Sequence, residues 1–157
     1  MYRLPMQLHH TKWSISWPLG FSQGAALSAL LIGYQAQGKL LKEHPPISLF
    51  VSISGSKFKD PIIYEVAYKE LIKVRSVHFI GEKDWHKLPS EELAAVFENP
   101  LIIRHPQGHT VPKLDKEAAE KVCSWIRHGV VLKGSFNGEI EHENTNRGEG
   151  SRLKGRL

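Results

Sequence analysis

A pentapeptide that begins and ends with glycine, Gly20-Phe21-Ser22-Gln23-Gly24, opens the longest apolar stretch of the chain. It fits the pattern G-x-S-x-G, in which a serine lies at a sharp turn between a strand and a helix. Glycines two positions before and after the serine let the chain bend there without a Cβ clash. Ser22 is therefore a candidate nucleophile, and the N–H of Gln23 would point at the developing oxyanion. The alternative is an ordinary Gly/Ser helix start.

Hydrophobic patterning predicts that strands and helices alternate after this turn. Three short runs of β-branched and aromatic residues predict strands at 47–53, 74–80 and 101–104. Four segments predict helices at 23–37, 60–73, 90–98 and 115–128. Ser90 and Asp115 are the predicted N-caps of the last two. Such alternation indicates the α/β class, with a parallel sheet covered by helices on both faces.

Candidate partners for Ser22 follow two later strands. Asp84 comes after the strand at 74–80, and His109 comes after the strand at 101–104. The carboxyl ends of parallel strands meet at one sheet edge, where open α/β folds place their sites. His109 would take the Ser22 proton as general base, and Asp84 would fix the tautomer and stabilise the imidazolium. Glu82 is a rival acid.

Other polar residues near the strand ends have simpler interpretations. His105 and His109 have a spacing seen in metal sites, but the proline and glycine between them preclude the helix that such a pair needs, so no metal is predicted. Ser54 and Ser56 lack an elbow and are interpreted as loop residues. Cys123 lies on the apolar face of the last predicted helix and is assigned to the core.

Charge and composition narrow the class of partner. The net charge is +5, but basic and acidic residues are interleaved, so no nucleic-acid partner is predicted. The single cysteine fits a reducing compartment, which favours the cytoplasm and leaves the nucleus open. The apolar stretch at 19–34 is too short and too interrupted to span a membrane. A signal peptide is the competing interpretation, but cleavage near Ala36 would discard the candidate nucleophile.

Four segments in chain order carry a resemblance to a known family: LGFSQGAALSALL, FVSISGSKF, SVHFIGEKD and HPQGHTVP. Together they resemble the serine hydrolases abbreviated FSH, which are small α/β-hydrolase esterases, over about residues 19–127. The resemblance implies Ser22 as nucleophile, Asp84 as acid and His109 as base. It also implies carboxylic ester substrates, with acyl chains as one option, and no metal or organic cofactor. Acyl-protein thioesterases share a GFSQG-type elbow, but the SISGSKF segment favours the first family.

The chain departs from this family upstream of Leu19. Only 21 residues precede Ser22, which is too few for the first βαβ unit and the loop that supplies a second oxyanion donor. We therefore expect a partial α/β-hydrolase sheet without its first strands, so that the normally central elbow strand lies at an exposed edge.

Three segments are expected: an atypical N-terminal segment at 1–18, the C-terminal part of a hydrolase domain at 19–132, and a disordered polar tail at 133–157. The functional hypothesis is a serine esterase that works through an acyl-enzyme. The alternative is a truncated, catalytically incomplete fragment with an interaction role or none. The sequence leaves the oligomeric state open.

Overall fold

The computed structural model describes residues 17–135, with side chains described through residue 129. The chain divides into two units, Met1–Ala118 and Ala119–Leu157. In the first unit strands and helices alternate as β1 (Leu19–Phe21), α1 (Gln23–Ala36), β2 (Leu49–Ile53), α2 (Pro61–Ala67), β3 (Arg75–Gly81), α3 (Lys87–Ala94) and β4 (Leu101–His105). The last described helix, α4 (Lys116–Ser135), begins in the first unit and continues in the second.

The four strands form one parallel sheet in the order β1-β2-β3-β4. In its register Gly20 lies opposite Ser52, Ser52 opposite His78, and His78 opposite Ile102. All four strands run in the same direction, so their carboxyl ends share one edge of the sheet. The predicted α/β class, a parallel sheet combined with helices, is confirmed.

The hydrophobic core combines buried side chains from α1, α2, α3 and β2. Ala25 and Ala29 contribute the small buried face of α1, and Phe50 on β2 is fully buried. At Gly33 an added Cβ would come within 2.9 Å of the Ala67 Cβ, so α1 and α2 pack with little space between them. Burying a side chain of the size of Phe50 stabilises the folded state by about 1.5 to 3 kcal/mol.

A histidine, His78, lies inside this core with 1% of its surface exposed. Its ring is 5.9 Å from the ring of Phe50 and 5.3 Å from that of Phe97. Neither ring nitrogen has a hydrogen-bond partner among the described residues. Burial lowers the pKa of His78 to about 4. The imidazole is therefore neutral at physiological pH and packs as an aromatic core residue.

The start of α3 differs from the prediction. The helix begins at Lys87, and its N-cap, His86, lies four residues before the predicted cap. Ser90 is inside the helix and buried, and its hydroxyl donates to the His86 carbonyl at 2.9 Å. The N-cap prediction for Ser90 is therefore wrong. The reason is that Pro89 fits the first turn of a helix, where its missing N–H would have no intrahelical acceptor.

Helix α2 is shorter than predicted and is defined by its cap. The Asp60 carboxylate accepts from the N–H groups of Ile62 at 2.8 Å and Ile63 at 3.2 Å, and Pro61 is the first helical residue. The helix ends at Ala67, so the second half of the predicted segment 60–73 is not helical.

Helix α4 starts as predicted. The Asp115 carboxylate accepts from the Ala118 N–H at 2.8 Å, which is a helix cap. The assignment of Cys123 to the core is wrong, because this thiol is exposed. The half-buried stripe of the helix contains Ala118, Val122 and Trp125, spaced four and three residues apart, and Cys123 lies beside it.

The predictions for the chain ends mostly concern residues 1–16 and 136–157, which lie outside the described residues. At the described boundary, the Pro18 carbonyl accepts from the Val51 N–H at 3.0 Å, and the Trp17 indole donates to the Ser48 hydroxyl at 3.0 Å. Residues 133–135 of the predicted tail belong to α4. Within residues 17–135, no helix has both the length and the hydropathy that crossing a bilayer requires.

Candidate active site

Ser22 lies at the turn between β1 and α1, with a backbone conformation of φ 53° and ψ −118°. Positive φ at a residue with a Cβ costs on the order of 1 to 3 kcal/mol and persists only where the surroundings enforce it. Here the Ser22 N–H donates to the Ile53 carbonyl at 2.9 Å, and the Ser22 carbonyl accepts from Ala26 at 3.1 Å. The next strand and the first helical turn thus hold the serine in place.

The two glycines of the pentapeptide have different roles. A Cβ added at Gly20 would come within 2.5 Å of the Ala25 Cα and 2.6 Å of the Gly24 carbonyl carbon. Both contacts are with helix backbone, so the close approach of β1 to α1 requires glycine at position 20. A Cβ at Gly24 would meet nothing within 4 Å among the described residues. The steric need predicted from the sequence is therefore present at Gly20 and absent at Gly24.

The structure brings Ser22, His109 and Asp84 together. The Nε2 atom of His109 lies 3.0 Å from the Ser22 Oγ, and its Nδ1 atom lies 3.1 Å from each carboxylate oxygen of Asp84. With its proton on Nδ1, the imidazole donates to the carboxylate and accepts the hydroxyl hydrogen at Nε2. The side chains of His109 and Asp84 are 19% and 1% exposed. The hydrogen-bond chain is largely shielded from water, and the serine end can be reached.

Asp84 is held by three donors. Its Oδ1 accepts from the His86 N–H at 2.7 Å, and its Oδ2 accepts from the Ser54 hydroxyl at 2.6 Å. Burial raises the pKa of Asp84, but the hydrogen bonds from Ser54, the His86 N–H and His109 outweigh it and hold that pKa below its usual value. The carboxylate is therefore ionised at neutral pH, opposite the imidazole.

The rival acid, Glu82, has other partners. Its carboxylate is 42% exposed and forms ion pairs with Lys87 and with Arg104, the latter at 3.2 Å. His105, the last residue of β4, is buried, and burial lowers its pKa. Its ring nitrogens have no hydrogen-bond partner among the described residues. No cluster of three or more metal-ligating side chains is found within the described part of the chain.

Two aromatic rings flank the imidazole of His109. The ring of Phe21 lies 5.0 Å away and that of Trp85 lies 4.9 Å away, centroid to centroid. Trp85 is 77% exposed, so the packing of His109 leaves a large apolar surface facing solvent. The His86 ring is perpendicular to His109 at 5.7 Å, and burial is the main cause that lowers the pKa of His86. In the sequence, the only signal of this cluster is that Phe21 is adjacent to Ser22 and Trp85 to Asp84.

A cleft of about 520 Å³ opens beside Ser22. The residues that line it besides Ser22 are Gln23, Ala26, Leu27, Ser56, Lys57, Phe58, Trp85 and His86. Its walls are mostly apolar, and Lys57 adds a cation that lies 3.9 Å from the Glu92 carboxylate and 5.3 Å from the Tyr64 ring. Gln23 is the first residue of α1, and the first N–H groups of a helix have no intrahelical acceptor.

Ser54 is the site residue that sequence reasoning missed. The sequence alone predicts a loop residue here, but Ser54 is 1% exposed and its hydroxyl donates to Asp84. It follows β2 directly, so it lies at the same sheet edge as Ser22, Asp84 and His109. The only available signal was this position at a strand end, which many ordinary turn serines share.

Comparison with known proteins gives a family match. The family described as "Serine hydrolase (FSH1)" matches residues 17–121. Esterase OVCA2 of Xenopus tropicalis is 40% identical over 109 residues, which are 68% of this chain and 44% of that protein. Esterase CG5412 of Drosophila melanogaster is 37% identical, over 60% of this chain and 33% of that protein. Family of serine hydrolases 2 of Saccharomyces cerevisiae is 30% identical, with coverages of 69% and 51%. The chain spans about half or less of the length of these curated relatives.

Two solved structures are similar to this chain. Acyl-protein thioesterase 2 of Zea mays aligns with a TM-score of 0.46 and 22% identity, over 71% of this chain and 55% of that chain. A fungal esterase from Rhizomucor miehei aligns with a TM-score of 0.49 and 13% identity, over 76% of this chain and 52% of that chain.

Proposed function

This chain belongs to the FSH1 family of serine hydrolases, and from that premise we propose that it hydrolyses carboxylic esters through an acyl-enzyme on Ser22. The observation that carries the proposal is the 3.0 Å contact between the Ser22 hydroxyl and the His109 Nε2, at a turn where the serine has positive φ. A hydroxyl at this distance from an unprotonated imidazole nitrogen has its general base in place.

In the first half of the reaction the Ser22 Oγ attacks the ester carbonyl carbon while its proton moves to the His109 Nε2. The imidazolium that forms is stabilised by the ionised carboxylate of Asp84. The carbonyl oxygen becomes an oxyanion and accepts a hydrogen bond from the Gln23 N–H at the positive end of α1. The tetrahedral intermediate then collapses, the bond to the alkoxy oxygen breaks, and the His109 Nε2–H protonates the departing alcohol.

In the second half a water molecule takes the place of the alcohol. It gives a proton to the His109 Nε2 and attacks the acyl carbon, and a second tetrahedral intermediate forms. The bond to the Ser22 Oγ breaks, the proton returns to Ser22, and the carboxylic acid leaves. These steps use side chains, a backbone N–H and water only.

The cleft supports an ester with an apolar acyl group as the proposed substrate class. Leu27, Phe58 and Trp85 present apolar surface beside the nucleophile, which suits an ester with an apolar acyl group. Relatives named esterases support the same reaction class. The single cysteine of the chain supports the reducing cytoplasm as the place of action.

The test is hydrolysis of p-nitrophenyl acetate, butyrate and octanoate by the full chain and by a Ser22→Ala variant. We expect turnover that requires Ser22, with kcat/KM higher for butyrate and octanoate than for acetate. Pre-steady-state release of nitrophenol before steady turnover would report the acyl-enzyme. A folded parent chain with no more activity than Ser22→Ala would refute the proposal and favour the non-catalytic alternative. Turnover that is slow but clearly above that of Ser22→Ala would support the proposal.

A further inference from the structure

We propose that Ser54 is a positioning residue of the proposed catalytic site: its buried hydroxyl fixes the orientation of the Asp84 carboxylate against His109. The inference rests on the proposed function and adds a fourth side chain to it. It assigns to Ser54 no contact with the reacting atoms.

Each carboxylate oxygen of Asp84 has one hydrogen-bond donor besides His109. Oδ1 is held by the His86 N–H at 2.7 Å, and Oδ2 is held by the Ser54 hydroxyl at 2.6 Å. Both oxygens lie at the same distance, 3.1 Å, from the His109 Nδ1. The two outside bonds thus fix the carboxylate plane, and the imidazole faces both oxygens equally. Without the Ser54 hydroxyl, Oδ2 would keep only its hydrogen bond to His109, and the carboxylate would be free to rotate about the Cβ–Cγ bond of Asp84.

The backbone at Ser54 indicates a constraint at this position. Its φ is 49°, which is the region that disfavours residues with a Cβ, and its N–H donates to the Phe79 carbonyl at 3.1 Å. A Cβ added at the next residue, Gly55, would come within 2.6 Å of the Ser52 Oγ and 2.7 Å of the Ala25 Cβ. The chain therefore turns tightly against β2 and α1 directly after Ser54. This turn points a short hydroxyl side chain at Asp84, which is 30 residues away in sequence.

The hydrogen bond from Ser54 to Asp84 is buried, so its loss is not made good by solvent. Ser54 is 1% exposed and the Asp84 side chain is 1% exposed, so no water replaces the hydroxyl without rearrangement. Hydrogen bonds to a charged group are about twice as strong as those between neutral groups. Three histidines surround the same carboxylate: His109 in direct contact, and His86 and His105, whose pKa values burial lowers and the Asp84 charge partly restores. Loss of the Ser54 bond should therefore raise the pKa of Asp84. The charge of Asp84 in turn acts on the neighbouring histidines.

The experiment compares the full parent chain with Ser54→Ala and Ser54→Gly. Glycine accepts the positive φ and lacks the hydroxyl, so the pair separates backbone strain from hydrogen bonding. Ser76→Ala is the matched control, because Ser76, which lies in β3, is as deeply buried as Ser54 and its hydroxyl has no partner among the described residues. Far-UV circular dichroism establishes that each variant is folded.

Two quantities are measured: the rate of Ser22 labelling by a fluorophosphonate as a function of pH, and the titration of the Asp84 carboxyl carbon by ¹³C NMR. We expect both Ser54 variants to label roughly tenfold to a hundredfold more slowly than the parent. We also expect the acidic limb of their pH profile and the Asp84 titration to move to higher pH. Ser76→Ala should match the parent in both.

Three results would overturn the proposal. If Ser54→Gly labels as fast as the parent, Ser54 serves only the backbone turn and its hydroxyl does not position Asp84 for the reaction. An unchanged Asp84 titration would show that the hydroxyl does not hold the charge, and a shifted titration with an unchanged rate would show that the reaction does not use the bond. A parent chain that fails to label at Ser22 refutes the proposed function instead, and the titration then still decides whether Ser54 holds Asp84.

Discussion

Replacing Gly20 with alanine places a methyl group where the backbone of α1 lies. The added Cβ would be 2.5 Å from the Ala25 Cα and 2.6 Å from the Gly24 carbonyl carbon, whereas ordinary contact begins at 3.4 Å. The Ala25 N lies closer still, so strand β1 and helix α1 must separate by more than about 0.9 Å, because none of these contacts is with a flexible side chain. Overpacking of this kind costs roughly 1 to 3 kcal/mol, and backbone contacts belong at the upper end.

The same displacement should also slow the reaction of Ser22. Ser22 and Gln23 lie between β1 and the first turn of α1, so the separation moves the nucleophile relative to His109. A misplacement of about 1 Å costs on the order of 10² in rate. We expect Gly20→Ala to lose about 2 to 3 kcal/mol of stability and to label with a fluorophosphonate about a hundredfold more slowly.

Gly24→Ala is the matched control, because a Cβ there meets no described residue and alanine favours helix by up to about 1 kcal/mol. Stability is measured by urea unfolding followed by circular dichroism, and labelling by intact mass at several times. Gly24→Ala should unfold at an equal or higher urea concentration than the parent and label at a similar rate. If Gly20→Ala and Gly24→Ala behave alike in both assays, the steric argument for the elbow is refuted.

Three further variants test other parts of the structure. Asp84→Asn should slow labelling of Ser22 by about 10³ to 10⁴ while the chain stays folded, and a change below threefold would contradict the role of the carboxylate. Burial lowers the pKa of His78 from 6.5 to about 4, so between these pH values the unfolded chain binds a proton that the folded chain does not, and stability rises with pH by about 3 kcal/mol. Between pH 5 and pH 7.5 the His78 contribution is about 2 kcal/mol. His78→Leu should reduce the rise seen in urea unfolding by that amount and leave the part due to His86 and His105, and an unchanged rise would refute this contribution of His78. The Gln35 side chain donates to the carbonyls of Leu41 and His44 and accepts from the Ile47 N–H at 3.0 Å. Gln35→Ala should therefore lower the free energy of unfolding by about 1 to 3 kcal/mol. It should not slow the labelling of Ser22 in the chains that remain folded.

Hydrophobic patterning predicts three of the four strands, β2, β3 and β4, and misses the short β1. The strand order also indicates where the three candidate residues lie. Apolar runs bounded by turn residues locate buried strands, and parallel strands bring their carboxyl ends together whatever lies between them. Residues that follow those ends, such as Ser22 and Asp84, are therefore close in space although they are far apart in the chain. Their catalytic roles remain predictions until labelling tests them.

The contacts that depend on tertiary packing were not predictable in the same way. The bond from Ser54 to Asp84 requires the turn after β2 to face the turn after β3, and no local pattern distinguishes Ser54 from an ordinary turn serine. The start of α3 was placed too late because a proline in the first helical turn is compatible with helix. Cys123 belongs to the predicted apolar face, but the half-buried stripe of α4 is centred closer to Trp125, which is two positions, or about 200° of helix rotation, from Cys123.

The measurement that tests the central claim most directly is the intact mass of the folded full chain after treatment with a fluorophosphonate, beside a Ser22→Ala control. A fluorophosphonate phosphonylates an activated serine and displaces fluoride, so the mass change reports the nucleophile itself. We predict one adduct on the parent chain and none on Ser22→Ala. A folded parent without an adduct, or an adduct that persists in Ser22→Ala, would contradict the assignment of Ser22 as the nucleophile.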